Sequence, residues 1–303
     1  MSTLADLAAE GVVDREVSLA PLTTYRFGGP ARYFLEAHDE EQVLRVAAAR
    51  AAEPVPVLVL GKGSNLVVSP EGFPGLVIRP GAGLGGVAVR GDGRVVAGAA
   101  AAQPAVARRS AAAERGGLEY MVGIPGSVGG AVRMNSGCHG TDTAEWLVTA
   151  RVVDLLTGEV GDRSAGELGL AYRYSNLADT DMVVAATFRT VARPRGEAEA
   201  IMREIIRWRR EHQPGGTLNA GSVFKNPPGD AAGRLIDSLG LKGLRVGGVA
   251  VSARHANFFV ADARASAQDL YDLVAEVRRR VWEATGVELE PEVRFVGPFR
   301  ERS

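Results

Sequence analysis

The pattern Gly81-x-Gly83-x-x-Gly86 runs directly into VAVRGDGRVVAGA, an alternating apolar and polar stretch that reverses at Asp92-Gly93. A Rossmann glycine turn must open a helix, because the helix N-terminus completes the pyrophosphate site. Here the glycines open a period-two hairpin instead. The doubly wound dinucleotide fold is therefore rejected. GKGSN at residues 61–65 is not a Walker loop either, since no glycine stands at the required distance before Gly-Lys and Gly63 follows Lys62 where Ser or Thr belongs.

What remains is an α+β pattern, and 303 residues are too many for one ordinary core. Residues 1–80 form a first segment. Strand-like 32–36 precedes a helix over 39–50, opened by Asp39 with Gln42 at the capping-box position, and β-rich runs follow at 55–60, 66–68 and 75–79. Pro80 and the glycines after it mark a boundary. The second segment, 81–194, holds the hairpin, a helix between Pro104 and Gly116-Gly117, and strands at 149–155 and 182–190. RPRG at 193–196 reads as a linker to a third segment, 195–303. Its first helix, 197–212, sets Ile201, Ile205 and Trp208 on one face. A helix at 231–239 and strands at 248–251 and 257–260 come next. A long helix then starts at Ser266, has Asp269 at the box position, turns Leu270, Val274, Val277 and Val281 inward and stops at Gly286. A last strand is free to return to the first segment.

Composition narrows the function classes. Hydrophobic content of 46% and charged content of 23% are those of a globular protein, and a formal net charge of −1 argues against nucleic-acid binding despite Arg207, Arg209 and Arg210. One cysteine, Cys138, and four scattered histidines predict neither a disulfide nor a metal site. The N-terminus lacks a basic region before an apolar core, and no run approaches the roughly 18 apolar residues of a membrane span. A cytoplasmic protein without membrane or obligate protein partner is expected.

Two other glycine-rich turns are suited to phosphate: Gly61-Lys62-Gly63-Ser64-Asn65, between two β-rich runs, and GIPGSVGGAV at 123–132, with MNSG close behind. Glycines let successive N–H groups converge on an anion, and Ser64 and Ser127 add hydroxyls. Either turn alone is explained by a tight connection; together they point to a diphosphate-bearing cofactor. In NAGSVFKNP, residues 219–227, Ser222 lacks the Gly-x-Ser-x-Gly elbow. Ser222 and Lys225 fit Ser-x-x-Lys without its companion motifs. Such a serine is a candidate proton donor, although a structural turn explains the motif equally well. The chain has six asparagines, Asn65, Asn135, Asn176, Asn219, Asn226 and Asn257, each in a short motif rich in Gly, Ser or aromatic residues, which predicts specific hydrogen bonds.

GKGSNLVV, GIPGSVGG with MNSG, YRYSNL, NAGSVFKNP and LEPEVRFVG occur in the order seen in the flavin-dependent UDP-N-acetylenolpyruvoylglucosamine reductases of peptidoglycan synthesis. TTYRFGGPA and RHANFFV also resemble that family, so the likeness runs from about residue 20 to 298. The resemblance implies a vanillyl-alcohol-oxidase (PCMH-type) FAD-binding fold of two subdomains, 1–80 and 81–194, with a third α+β substrate-binding domain, 195–303. It implies non-covalent FAD, NADPH as reductant and a nucleotide-sugar substrate. Gly61, Lys62, Gly63, Ser64, Asn65, Gly123, Ile124, Pro125, Gly126, Ser127, Gly129, Gly130, Asn135 and Arg294 would then contact the cofactor. Arg173 matches the family's active-site arginine, Glu292 its glutamate and Ser222 its proton donor, while Asn226, His212 and Tyr172 fall on the substrate side. The short chain between Arg173 and Ser222 resembles the class without an extra tyrosine-bearing loop, and His212 stands where lysine is expected. Another FAD-dependent oxidoreductase of the same fold, acting on an alcohol or sugar, is the alternative; many of those tether flavin through His or Cys, and His139 and Cys138 lie near the second glycine turn.

Overall fold

Strand Leu66–Val68 lies in parallel register with strand Arg294–Val296, Leu66 opposite Arg294 and Val68 opposite Val296, so the last strand of the chain pairs with an early one. The computed structural model describes residues 2–301. They divide into two units. One takes the residues up to Val17, Arg32–Lys62 and Pro74–Arg209; the other takes Ser18–Ala31, Gly63–Phe73 and the residues from Arg210 on.

The first unit is built on two larger sheets, beside two short two-stranded pairings. In the four-stranded one the order is Asp14–Ser18, Pro30–Ala37, Phe73–Pro80, Val57–Val59, with the last pair parallel. Helix Glu40–Ala52 buries Val43, Val46, Ala47 and Ala49 in the same apolar cluster as Tyr33, Leu76 and Ile78. Asp39 caps this helix through the Gln42 N–H at 2.8 Å, but the Gln42 side chain accepts from the N–H of His38, one residue before the box position. The five-stranded sheet is antiparallel throughout, in the order Val160–Ser164, Leu147–Asp154, Asp181–Phe188, Val95–Gly98, Val87–Val89. Its last two strands are the expected hairpin, closed by the Gly93 N–H on Arg90 O at 2.9 Å.

Three local expectations shift. The helix begun by Pro104 is Gln103–Ala112, and Arg115–Gly116 is instead a two-residue strand against Val191–Ala192. Ser110 Oγ donates to Arg115 O at 2.7 Å and fastens that exit, a contact no glycine pattern signals. The helix expected at 197–212 starts earlier, as Arg195–His212, because the Pro194 carbonyl accepts its first N–H bonds. Its buried residues are Ala198, Met202 and Ile205, whereas Ile201 and Trp208 are 37% and 40% exposed. The face is rotated because the helix packs into the cluster of Tyr120, Val128 and Phe188. Helix Leu4–Ala9, with a Thr3/Asp6 capping box, is an additional element.

The second unit packs helices Ala232–Ser238 and Ala267–Thr285 with the antiparallel sheet Arg245–Val246, Val249–Val251, Phe259–Ala261. The long helix is as read. Ser266 and Asp269 form the reciprocal box, Leu270, Val274, Val277 and Val281 are buried, and Gly286 ends it at φ 69°, a left-handed conformation that favours glycine. Tyr25, Phe27 and Val67, from early in the chain, belong to the same core cluster as Phe224, Val277 and Val293. This is why the units do not follow the three consecutive segments: residues 18–31 and 63–73 bury their apolar side chains among C-terminal partners, a pairing that composition along the chain does not reveal. Among the described residues no helix is long and apolar enough to cross a membrane.

Candidate active site

The turn at 61–65 leaves strand Val57–Val59 after Leu60, whose N–H donates to Ile78 O at 2.9 Å. A Cβ at Gly61 would stand 2.6 Å from Ser127 Oγ, a separation real Cβ atoms essentially never show. Within the first unit the two glycine-rich turns therefore approach each other, and the absence of a side chain at 61 permits it. Ser127 is buried and caps helix Val128–Met134, its Oγ accepting the Gly130 N–H at 3.4 Å. The turn is docked from behind by Gln103 N–H on Gly126 O at 3.0 Å, Val128 N–H on Ala101 O at 2.9 Å and Gly129 N–H on Ala99 O at 3.0 Å. Ile124 N–H donates to Met121 O. Backbone packed this tightly around a hydroxyl, with a cradle that a Cβ would fill, fits a diphosphate such as that of FAD. The amides of Ile124, Val128, Gly129 and Gly130 are engaged within the protein, which narrows the donors expected of this turn to Gly126 and Ser127. Lys62 and Pro125 are exposed.

Asn135 follows that helix as its left-handed C-cap, at φ 40° and ψ 58°. Its side chain is engaged in the protein: Nδ2 donates to Asp142 Oδ2 at 3.0 Å and to Ala171 O at 2.9 Å, and Oδ1 accepts the Ala144 N–H at 2.8 Å. Ala171 and Tyr174 exchange backbone hydrogen bonds across a tight reversal that carries Tyr172 and Arg173. Arg173 adopts φ 53°, costly for a non-glycine residue. Its Nη2 donates to Gly137 O at 2.8 Å, and its guanidinium lies 5.1 Å from the centre of the exposed Tyr172 ring. Behind this turn, burial pushes the Cys138 thiol up to about 11, against the opposing pull of Arg209 and Arg173. Arg209 is itself lowered by burial. His139 stacks edge-on against Trp208, with centroids 5.1 Å apart.

The second unit brings Ser222 and Glu292 together through their backbones. Ser222 bridges Phe258, and the next residue, Val223, donates its N–H to Asn257 O at 2.8 Å while its carbonyl accepts the Glu292 N–H at 2.7 Å. Asn257, buried and among the asparagines expected to make specific hydrogen bonds but not placed in the site, brackets Phe224 from both sides: Oδ1 accepts the Phe224 N–H at 2.9 Å and Nδ2 donates to Phe224 O at 2.8 Å. Asn65 Nδ2 donates to Glu292 O at 2.9 Å, and Asn65 O accepts the Arg294 N–H at 2.9 Å. Lys225 Nζ meets Glu290 Oε1 at 2.6 Å. Gly63, in the same unit, has φ 61°, and a Cβ there would lie 2.2 Å from Leu22 O. Asn226 Oδ1 accepts the Ala232 N–H at 3.1 Å at the start of helix Ala232–Ser238. His212 is exposed at the end of helix Arg195–His212. All six asparagines make side-chain bonds to backbone groups, Asn176 to Glu167 O and Asn219 to Gly221 N–H completing the set. Their scarcity was the available signal for Asn257.

Residues 213–296 match the family model of the UDP-N-acetylenolpyruvoylglucosamine reductase C-terminal domain, and residues 31–162 match that of an FAD binding domain. The chain is 45% identical over 290 residues to the UDP-N-acetylenolpyruvoylglucosamine reductase of Acidiphilium cryptum, covering 95% of this chain and 92% of the relative. It is 42% identical to UDP-N-acetylenolpyruvoylglucosamine reductase 2 of Symbiobacterium thermophilum, over 95% of this chain and 93% of the relative. The crystal structure of the Thermus caldophilus UDP-N-acetylenolpyruvylglucosamine reductase superposes with a TM-score of 0.81 at 37% identity, covering 93% of this chain and 98% of that one.

Proposed function

The chain belongs to the UDP-N-acetylenolpyruvoylglucosamine reductase family, and we propose that it uses NADPH to reduce enolpyruvyl-UDP-N-acetylglucosamine to UDP-N-acetylmuramate. It has the family's α+β FAD-binding fold and is a flavin-dependent oxidoreductase of peptidoglycan synthesis. Bound FAD supplies the hydride relay between NADPH and the enolpyruvyl double bond. The protein's part is to hold the diphosphate, orient the substrate carboxylate, stabilise developing negative charge and deliver one proton.

The turns at 61–65 and 123–130 hold the FAD diphosphate, with Gly126 and Ser127 N–H as donors from the second turn, and Arg294 reaches the flavin. Attachment is non-covalent; covalent attachment through Cys138 is opposed by burial, which keeps the thiol protonated. Arg173 binds the substrate carboxylate through a charge-assisted pair. Hydride adds to the terminal carbon of the enolpyruvyl group and leaves carbanion or enolate character on the carbon beside the carboxylate. Glu292 donates a hydrogen bond to that enolate, which requires its carboxyl to carry a proton at that moment. Ser222 then gives its hydroxyl proton to the carbanionic carbon, a base strong enough to take it. Asn226, His212 and Tyr172 contact the nucleotide-sugar.

The observation that carries this reading is the Glu292 N–H on Val223 O at 2.7 Å, which sets the serine turn beside the segment that carries Glu292. Ser222→Ala tests it by separating the half-reactions in stopped flow. Reduction of the flavin by NADPH stays within about twofold of wild type, and reoxidation by the enolpyruvyl substrate slows by roughly 10²–10⁴-fold, the range for a lost positioned acid. Wild-type reoxidation in the variant assigns the proton to another group.

A further inference from the structure

We infer that Asn135 is a positioning residue for Arg173, fixing through one side-chain amide the turn that presents the guanidinium to the substrate carboxylate. The inference rests on the carboxylate-binding role proposed for Arg173 above. It moves Asn135 from cofactor contact to substrate orientation, and every link lies within the first unit.

Asn135 joins three pieces of chain. Through Ala171 O it holds the entrance of the reversal whose next two residues are Tyr172 and Arg173. Through Asp142 Oδ2 and the Ala144 N–H it holds the exit of the small hairpin made by Gly137–Cys138 and Thr141–Asp142. That hairpin begins with Gly137, whose carbonyl accepts Arg173 Nη2 at 2.8 Å. One amide thus ties the backbone that carries Arg173 to the backbone its guanidinium rests on. Arg173 stands at φ 53° and Asn135 at φ 40°, so both need the surroundings to hold them away from their preferred conformations. Asparagine suits the position doubly, because it tolerates the left-handed region and supplies two donors and an acceptor at 1% exposure. Without the amide, the Ala144 N–H loses this acceptor, Ala171 O is left with the Tyr174 N–H, and Arg173 gains conformational freedom.

Asn135→Gly separates the side chain from the backbone, because glycine keeps the left-handed cap and removes only the amide. In the flavin-loaded enzyme we expect full flavin content and NADPH reduction within about twofold of wild type, while reoxidation by the enolpyruvyl substrate slows about 10–100-fold, as for a misplaced reacting group. The dissociation constant of the product UDP-N-acetylmuramate, read from the flavin spectrum, should weaken by a similar factor. Arg173→Met and the double variant complete a cycle, in which the double variant is no slower than Arg173→Met alone. Asn135→Asp keeps the Ala144 bond, loses both donated bonds and replaces Asn135→Gly should glycine prevent folding. Wild-type reoxidation in the Asn135 variant, or additive losses in the cycle, overturns the inference. Wild-type reoxidation in Arg173→Met instead sinks the carboxylate role itself, so the two failures are told apart.

Discussion

Arg173 is held by the carbonyl of Gly137 and, at one remove, by the Asn135 amide, in a backbone conformation it would not choose alone. Ser222 and Glu292 are held by backbone bonds that succeed one another along the chain, at Val223, Lys225, Glu292 and Arg294, with the Asn257 amide bracketing Phe224 between them. The first arrangement depends on a few side-chain bonds and stores strain. The second is a ladder with several rungs. Removing one group should therefore misdirect Arg173 with little loss of fold, whereas in the ladder it should weaken the fold with little loss of direction.

The largest effect tests the turn that leads into the ladder. Gly63→Ala places a side chain in the left-handed region and 2.2 Å from the Leu22 carbonyl, a backbone atom that cannot swing away. We expect a loss of about 3–5 kcal/mol in denaturant unfolding together with loss of bound FAD. Unchanged stability and flavin content would show that this turn adapts and that the ladder is not anchored there.

Asn257→Ala comes next and sets the two arrangements against each other. It leaves the buried Phe224 N–H and C=O without the Asn257 amide, at a cost of about 2–4 kcal/mol. Because the Val223 bonds to Asn257 O and Glu292 N–H are backbone bonds, reoxidation should stay within about threefold in a ladder of independent rungs. A collapse of reoxidation comparable to that expected for Asn135→Gly would erase the distinction between the two halves.

The smallest effect concerns Cys138, behind the Arg173 turn. A pKa raised by burial means the folded state favours the protonated thiol; its contribution is fully present below the ordinary value near 9 and is lost as pH rises through about 11. Relative to Cys138→Ser, wild-type stability should fall across that interval. Iodoacetamide should alkylate the folded protein much more slowly than a free thiol at pH 8, and acid precipitation should release the flavin. Rapid alkylation at pH 8 would place Cys138 on an accessible, ionisable surface.

Elements with complete local signals were legible. The Ser266 box, the apolar spacing of Leu270, Val274, Val277 and Val281 and the stop at Gly286 specify the last helix without help from the rest of the chain. The Asp92-Gly93 hairpin is of the same kind. Helix Arg195–His212 was read with its buried face rotated, because apolar residues stand on more than one side and only the partners choose among them. Strand Val160–Ser164 went unread because a half-exposed edge strand carries little periodicity.

For the site, the glycine-rich turns pointed to a diphosphate cofactor, and the resemblance of the ordered motifs to the reductase family implied the enolpyruvyl substrate and the roles proposed for Ser222, Arg173 and Glu292. Which neighbours hold those residues was decided by tertiary structure. Gly61 reads as a flexible turn until Ser127 is found 2.6 Å from its missing Cβ, and Asn135 reads as one more motif residue until its amide is seen joining residues 142, 144 and 171. Asn257 acquires a task only because folding sets it beside Phe224. A hydrogen bond between residues far apart in sequence leaves no local period or propensity; its direction and length exist only once the backbone has brought the partners together.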